Sequence, residues 1–399
     1  MIKFITKSAL LVLSIFYTSS YSNSFQIITK KNTLEKNSIT IQTGADNYEK
    51  YLPLLQNKKV GIVTNQTGIL TNKIHLVDFL LEKKIAIHTI FAPEHGFRGT
   101  ADAGEHVVDG KDAKTGLSII SLYGDNKKPK ATQLVGIDIM LFDLQDVGAR
   151  FYTYISSLHY VMEACAENGI PLLILDRPNP NGSIIDGPLL EKEFTSFVGM
   201  HPIPLLHGMT IGEYAQMING EKWLKNAAQC KLTVIPCIDY NRKMEYSLPL
   251  KPSPNLPNDQ SINLYGSLCL FEGTNVSVGR GTEKQFQIYG SPFLMESTFN
   301  FIPKPNFGAK DPLYNGKECF GEDLTTYPKL TRLELKWLIK AYQNTSDKTQ
   351  FFNPFFTKLA GTKKLQQQIE SGISENKIRK SWKNGLTVFK KMRMKYVIY

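Results

Sequence analysis

The sequence predicts an α/β protein: a parallel sheet with helices on both faces, joined to a smaller α+β C-terminal domain. Two observations carry this. Short continuous apolar runs alternate with helical stretches from Lys59 to about Pro236, and strands covered on both faces read as unbroken apolar runs. At Ser247–Pro257 the composition changes, with Pro249, Pro252, Pro254 and Pro257 punctuating SLPLKPSPNLP. That segment reads as a crossing between domains, because the βα alternation is lost beyond it.

Taken in order, Met1–Ser24 reads as a secretory signal peptide. Lys3 and Lys7 precede the apolar stretch Ala9–Phe16, and small polar residues follow; the apolar part is short for a membrane span. Residues 25–47 are polar and are expected to be a flexible segment. Residues 48–247 form the predicted Rossmann-like domain. Lys59–Thr64 reads as a strand, Ile74–Lys83 as an amphipathic helix and Ile85–Ala92 as a strand. Ile137–Asp143 and Pro171–Asp176 are further strands with the helical Tyr154–Glu167 between them, and Thr210–Leu224 and Leu232–Pro236 complete the series. Residues 248–399 are assigned to the second domain, with a short apolar run at Leu268–Phe271 and helices near Thr331–Tyr342 and Leu359–Ser371.

The 399 residues are 42% hydrophobic and 21% charged, an ordinary globular composition. Five cysteines without a CxxC pair indicate neither a zinc site nor a disulfide framework; a Cys230–Cys237 bridge is permitted but not required. The formal charge is +11, and loss of Lys3 and Lys7 with the leader lowers it by two, to +9. Much of the excess lies in Asn376–Tyr399, which has no acid. This is either a solvated helix face or a surface attracted to an anionic polymer such as cell wall. Export and the lack of a binding motif argue against nucleic acid.

Ligands of open α/β sheets bind beyond the carboxyl ends of the strands, and four polar clusters fall there. The first strand delivers Asn65, Gln66 and Thr67. The second ends in APEHGFRG, presenting Glu94, His95 and Arg98 beside Gly96 and Gly99. The third is followed by Asp143, Gln145, Asp146, Arg150, Tyr152 and Tyr154, and the fourth by Asp176, Arg177, Asn179 and Asn181. Each cluster alone has a turn-forming or helix-capping explanation; their coincidence on one rim points to a polar-substrate site. In the second half, LCLFEGTNVSVGRGTE places Glu272 and Glu283 on either side of a glycine-flanked Arg280, a residue suited to gripping a carboxylate.

Several chemistries lack their motifs. Neither GxGxxG nor GxxxxGK[ST] follows the first strand, so a nucleotide cofactor is not supported, and no GxSxG elbow occurs. Asp143, Asp146 and His95 are potential metal ligands, but no HExxH or clustered spacing demands a metal. Carboxylates dominate, and paired carboxylates are the usual equipment for cleaving a glycosidic bond.

FAPEHGFRG, FDLQDVGARFYTY, ILDRPNPNG, PLLHGMTIGEYA, SPNLP, FEGTNVSVGRGTE and the C-terminal SWKNGLTVFKKMRMKYVIY resemble, in order, the motifs of the NamZ (YbbC-like) exo-β-N-acetylmuramidases. The resemblance runs from about Lys59 to the end of the chain. It implies a Rossmann-like domain joined to a smaller one with the active site between them, and no cofactor. It also implies release of N-acetylmuramic acid from the non-reducing end of peptidoglycan-derived muramyl glycans, outside the cytoplasm in a secreted or periplasmic protein. Under it, Glu94 is the leading catalytic acid/base, with its apolar strand and Pro93 favouring the protonated form. Glu272 is the opposing carboxylate, with Glu105, Asp146 and Glu283 as alternatives. His95, Arg98, Asp143, Arg150, Tyr152, Asn179 and Arg280 complete the substrate-binding set. The competing readings are a non-catalytic binder of wall fragments and a metal-dependent hydrolase around Asp143 and Asp146.

Overall fold

The alternation from Lys59 onward folds as a mostly parallel sheet of seven strands among residues 40–98 and 109–399, which this computed structural model describes. The predicted signal peptide, residues 25–39 and Glu105 lie outside the described residues. The sheet contains β1 (Lys59–Thr64), β2 (Ala86–Ala92), β3 (Gly110–Lys111), β4 (Ser118–Ser121), β5 (Ile139–Asp143) and β6 (Leu172–Leu175). A two-stranded ribbon, β7 (Asp186–Leu189) and β8 (Pro204–Leu206), stands apart, and β9 (Leu232–Ile235) closes the sheet. Strand order is β3-β4-β2-β1-β5-β6-β9, with only the β3–β4 pair antiparallel. The chain builds outward from β1 to β2 and β4, then returns to the other side of β1 for β5, β6 and β9. The reversal lies between β1 and β5, so the crevice beyond their carboxyl ends is the expected ligand position.

Side chains alternate between two cores along each strand, as a period of two requires. Val60, Ile62, Ile139, Leu141, Leu173 and Leu175 face α1 (Tyr48–Leu55) and α2 (Leu76–Glu82). Val63, Met140, Phe142, Leu172 and Ile174 face the other way, toward α3 (Tyr154–Asn168) and α4 (Ile211–Gly220). This second core continues without a break into the C-terminal half. It takes in Leu264 and Leu268 of α5 (Asp259–Leu268), Trp337 of α6 (Lys336–Asn344), Phe356 of α7 (Phe355–Ala360) and Leu365 of α8 (Lys364–Glu370). It ends on Phe389 of α9 (Glu375–Arg393). Strands β10 (Ile288–Ser291), β11 (Asn300–Phe301) and β12 (Cys319–Asp323) form a small antiparallel sheet there.

Two sequence expectations differ from the structure. Residues 42–47 are packed, not flexible: Thr43 and Ala45 are buried, Gly44 N donates to Asp176 O (2.7 Å) and Tyr51 Oη donates to Ala45 O (2.8 Å). A Cβ on Gly44 would lie 2.4 Å from Asp176 N and Ile235 O, so this short plug fits only because it has none. The apolar run Leu268–Phe271 ends α5 and enters a 3-10 turn, Cys269–Gly273. The single helix expected over Leu359–Ser371 is two, broken where Gly361 adopts φ +73°. The five cysteines are free and buried, Cys230 and Cys237 included.

Helix α9 resolves the basic terminus. Ile378, Trp382, Phe389 and Arg393 form its buried stripe, at spacings that bring them to one face. Arg379 pairs with Asp186 and donates to Leu333 O (2.8 Å), while Lys377, Lys380, Lys383, Lys390 and Lys391 are exposed. Among the described residues, no helix is long and apolar enough to cross a membrane.

Candidate active site

Pro93 ends the β2 ladder, and His95 and Gly96 then adopt φ of +72° and +75°. Left-handed backbone at a histidine is uncommon. Here the turn brings Glu94 and His95 together onto the wall of a cavity of about 200 Å³. Thr153, at the start of α3, donates its hydroxyl to Glu94 Oε2 (2.7 Å). Tyr152 Oη donates to Pro252 O (2.8 Å), and Tyr154 Oη accepts from Asn65 Nδ2 (2.7 Å). Burial, followed by the nearby Glu94 charge, pushes the Tyr154 phenol well above its usual range. That phenol therefore stays a neutral group beside the carboxylate.

The opposite wall comes from the C-terminal half. The 3-10 turn after α5 presents Glu272, whose Oε1 accepts from Arg280 Nε (2.6 Å) and whose Oε2 accepts from Cys269 Sγ (3.5 Å). Arg280 lies over the Phe286 ring, 5.0 Å from its centroid. Although burial works against the guanidinium, the Glu272 charge holds it above its ordinary range. A Cβ on Gly273 would lie 2.3 Å from Phe356 Cα, which shows how closely the Glu272 turn is pressed onto α7. Aromatic rings, among them Tyr123, Phe197, Tyr265 and Phe355, line the rest.

Of the residues singled out in the sequence, Glu94, His95, Tyr152, Tyr154, Glu272 and Arg280 line this one cavity. The others are placed elsewhere. Asp143 and Arg177 form a buried two-bonded pair (Nε–Oδ1 2.6 Å, Nη2–Oδ2 2.9 Å) that ties β5 to the loop after β6. Asp146 is buried, accepting from Gly148 N (2.7 Å) with His207 Nε2 at 3.5 Å. Arg150, fully buried, donates to the carbonyls of Pro188 (3.0 Å), Ile203 (2.7 Å) and Leu359 (3.0 Å). It joins the β7–β8 ribbon to α7, and burial lowers its pKa to about 9. Asn179 is buried and donates to Met209 O (2.8 Å). Arg98 pairs with Asp112 (2.6 Å) and stacks on Phe97. Burial pushes the Asp112 carboxyl up, but Thr115 and Arg98 outweigh it and hold it below the usual range. Glu283 is exposed and does not line the cavity. Among the described residues, no three His, Cys, Asp or Glu side chains gather as metal ligands.

Sequence reasoning missed Thr153, the donor to Glu94, although it lies within the quoted FYTY motif. Its replacement by valine keeps the shape and removes the hydroxyl. Loss of a hydrogen bond to a charged group should lower kcat for a muramyl glycoside about tenfold while KM stays within about twofold. Steady-state kinetics with a circular dichroism control checks this.

The N-terminal model of the exo-β-N-acetylmuramidase NamZ family matches residues 60–260, and its C-terminal model matches residues 263–399. The peptidoglycan β-N-acetylmuramidase NamZ of Bacillus subtilis (strain 168) is 41% identical over 382 residues, covering 90% of this chain and 91% of that protein. Crystal structures of two DUF1343 family proteins from Bacteroides fragilis NCTC 9343 share the fold, with TM-scores of 0.84 and 0.76 at 44% and 28% identity. Each match covers 90% of this chain and 99% of the crystallised one. With both family models matched in order across nearly the whole region that carries the cavity, the chain belongs to the NamZ exo-β-N-acetylmuramidase family.

Proposed function

We infer that the protein is a glycoside hydrolase that removes N-acetylmuramic acid from the non-reducing end of peptidoglycan fragments. The observation that carries this reading is one small cavity receiving Glu94 from the sheet rim and Glu272 from the C-terminal half. Its volume of about 200 Å³ lies below the roughly 300–1,000 Å³ of drug-sized ligand sites. That size suits one terminal sugar and favours exo over internal cleavage. The aromatic walls offer apolar faces to the pyranose C–H bonds.

In this mechanism Glu94 protonates the glycosidic oxygen as the aglycone departs, and the Thr153 hydroxyl fixes its carboxyl. Glu272, paired with Arg280, supplies the opposing carboxylate that attacks C1 or activates water. His95 and Tyr152 are placed to contact sugar substituents. The leader-like first 24 residues and the nature of the substrate support a location in the periplasm or beyond the cell.

The test is incubation of the purified protein with a chromogenic N-acetylmuramic acid β-glycoside and with muramyl disaccharide. Release of free N-acetylmuramic acid from both is expected. Saturable binding of these compounds without any released sugar would replace this reading with that of a wall-fragment binding protein.

A further inference from the structure

The lactyl carboxylate of muramic acid brings a negative charge into a cavity whose walls hold Glu94 and the Glu272–Arg280 ion pair. An anion taken out of water into a partly desolvated site is costly unless a cation faces it. The arginines that the sequence offered for this task are otherwise engaged. Arg280 is bound to Glu272, Arg98 to Asp112, and Arg150 to three carbonyls. Residues 99–108 contain neither lysine nor arginine.

A different cation touches one of the lining rings without itself lining the cavity. Lys127 Nζ lies over the Phe197 ring, 5.3 Å from its centroid, and that ring lines the cavity together with Tyr123. Phe197 is fixed on both sides: its ring is 6.3 Å from Tyr123 and stacked 6.3 Å from Tyr160, and its carbonyl accepts from Ser156 Oγ (2.7 Å). The adjacent Lys128 is neutralised by Glu163 and Glu167, both at 2.7 Å. Lys127 has no ion pair among the described residues.

We propose that Lys127, held on the lining ring of Phe197, reaches round it to the lactyl carboxylate and so determines specificity for muramic acid over uncharged amino sugars. The proposal rests on the muramidase reading. A cation–π contact at a partly exposed site is weaker than a charge-assisted hydrogen bond, so an arriving carboxylate draws the ammonium from the ring. The flexible four-carbon stem allows that reach.

The experiment compares a chromogenic N-acetylmuramic acid β-glycoside with its lactyl methyl ester, which has the same shape and no charge. The wild-type protein should prefer the acid. Lys127→Met should raise KM for the acid about tenfold, the scale of one partly exposed charge-assisted contact. It should leave kcat and both constants for the ester unchanged, so that the preference collapses, and Lys127→Arg should restore it. An undiminished preference in Lys127→Met, or no preference in the wild type, overturns the assignment. Failure of the wild type to cleave either compound instead removes the muramidase reading, and the assignment with it.

Discussion

Glu94→Gln should lower kcat for an N-acetylmuramic acid glycoside by roughly 10²–10⁴-fold, the usual contribution of a positioned general acid or base. The substitution is nearly isosteric. Its amide still accepts from the Thr153 hydroxyl that now meets Oε2, and the backbone turn through His95 and Gly96 does not depend on the side-chain charge. The melting temperature and the affinity for free N-acetylmuramic acid should therefore stay close to wild type. Glycosides with better leaving groups supply a sharper readout, because they need less protonation of the departing oxygen. The deficit of Glu94→Gln should shrink as the leaving-group pKa falls. A uniform deficit across the leaving-group series would remove Glu94 from the acid role, and near-normal turnover would remove it from catalysis.

The sheet half of this site was legible because strand ends are local features. An apolar run stopped by Pro93 announces where β2 ends, and Glu94 and His95 follow at once. The alternation of Met140 and Phe142 against Ile139 and Leu141 fixes which groups leave β5 at its carboxyl end. Chemical role was less legible, because an acid or arginine beyond a strand looks the same whether it serves a ligand or the fold. Asp143 and Arg177 lie 34 positions apart, and only the register of β5 beside β6 makes them partners. Arg150 is decided by still more distant chain: the Leu359 carbonyl that accepts from it and the missing Cβ of Gly361, which would sit 2.5 Å from Nη2. The aromatic walls had no local signature. Phe197, Phe286 and Phe355 come from loops and a helix start, and tertiary packing alone assembles them around Tyr152 and Glu94.

Glu272→Gln should be comparably damaging, with kcat again reduced by roughly 10²–10⁴-fold, yet for a different reason. A carboxylate that attacks C1 or deprotonates water must be ionised when substrate arrives. Arg280 at 2.6 Å, itself seated on Phe286, fixes the direction of the oxygen. The amide of the variant still accepts from Arg280 through its oxygen, so the turn against α7 should survive and ligand affinity should change little. Because this residue does not protonate the leaving oxygen, its deficit should not shrink toward better leaving groups as that of Glu94→Gln does. The two variants thus separate the two carboxylates by the slope of log kcat on leaving-group pKa. If Glu272→Gln stays within about tenfold of wild-type turnover, Glu272 serves only to hold Arg280, and the opposing carboxylate must be sought elsewhere on the cavity rim. A large deficit with an unchanged slope would assign the pair: an acid from the sheet rim and an ionised partner from the C-terminal half, meeting across a space for one sugar.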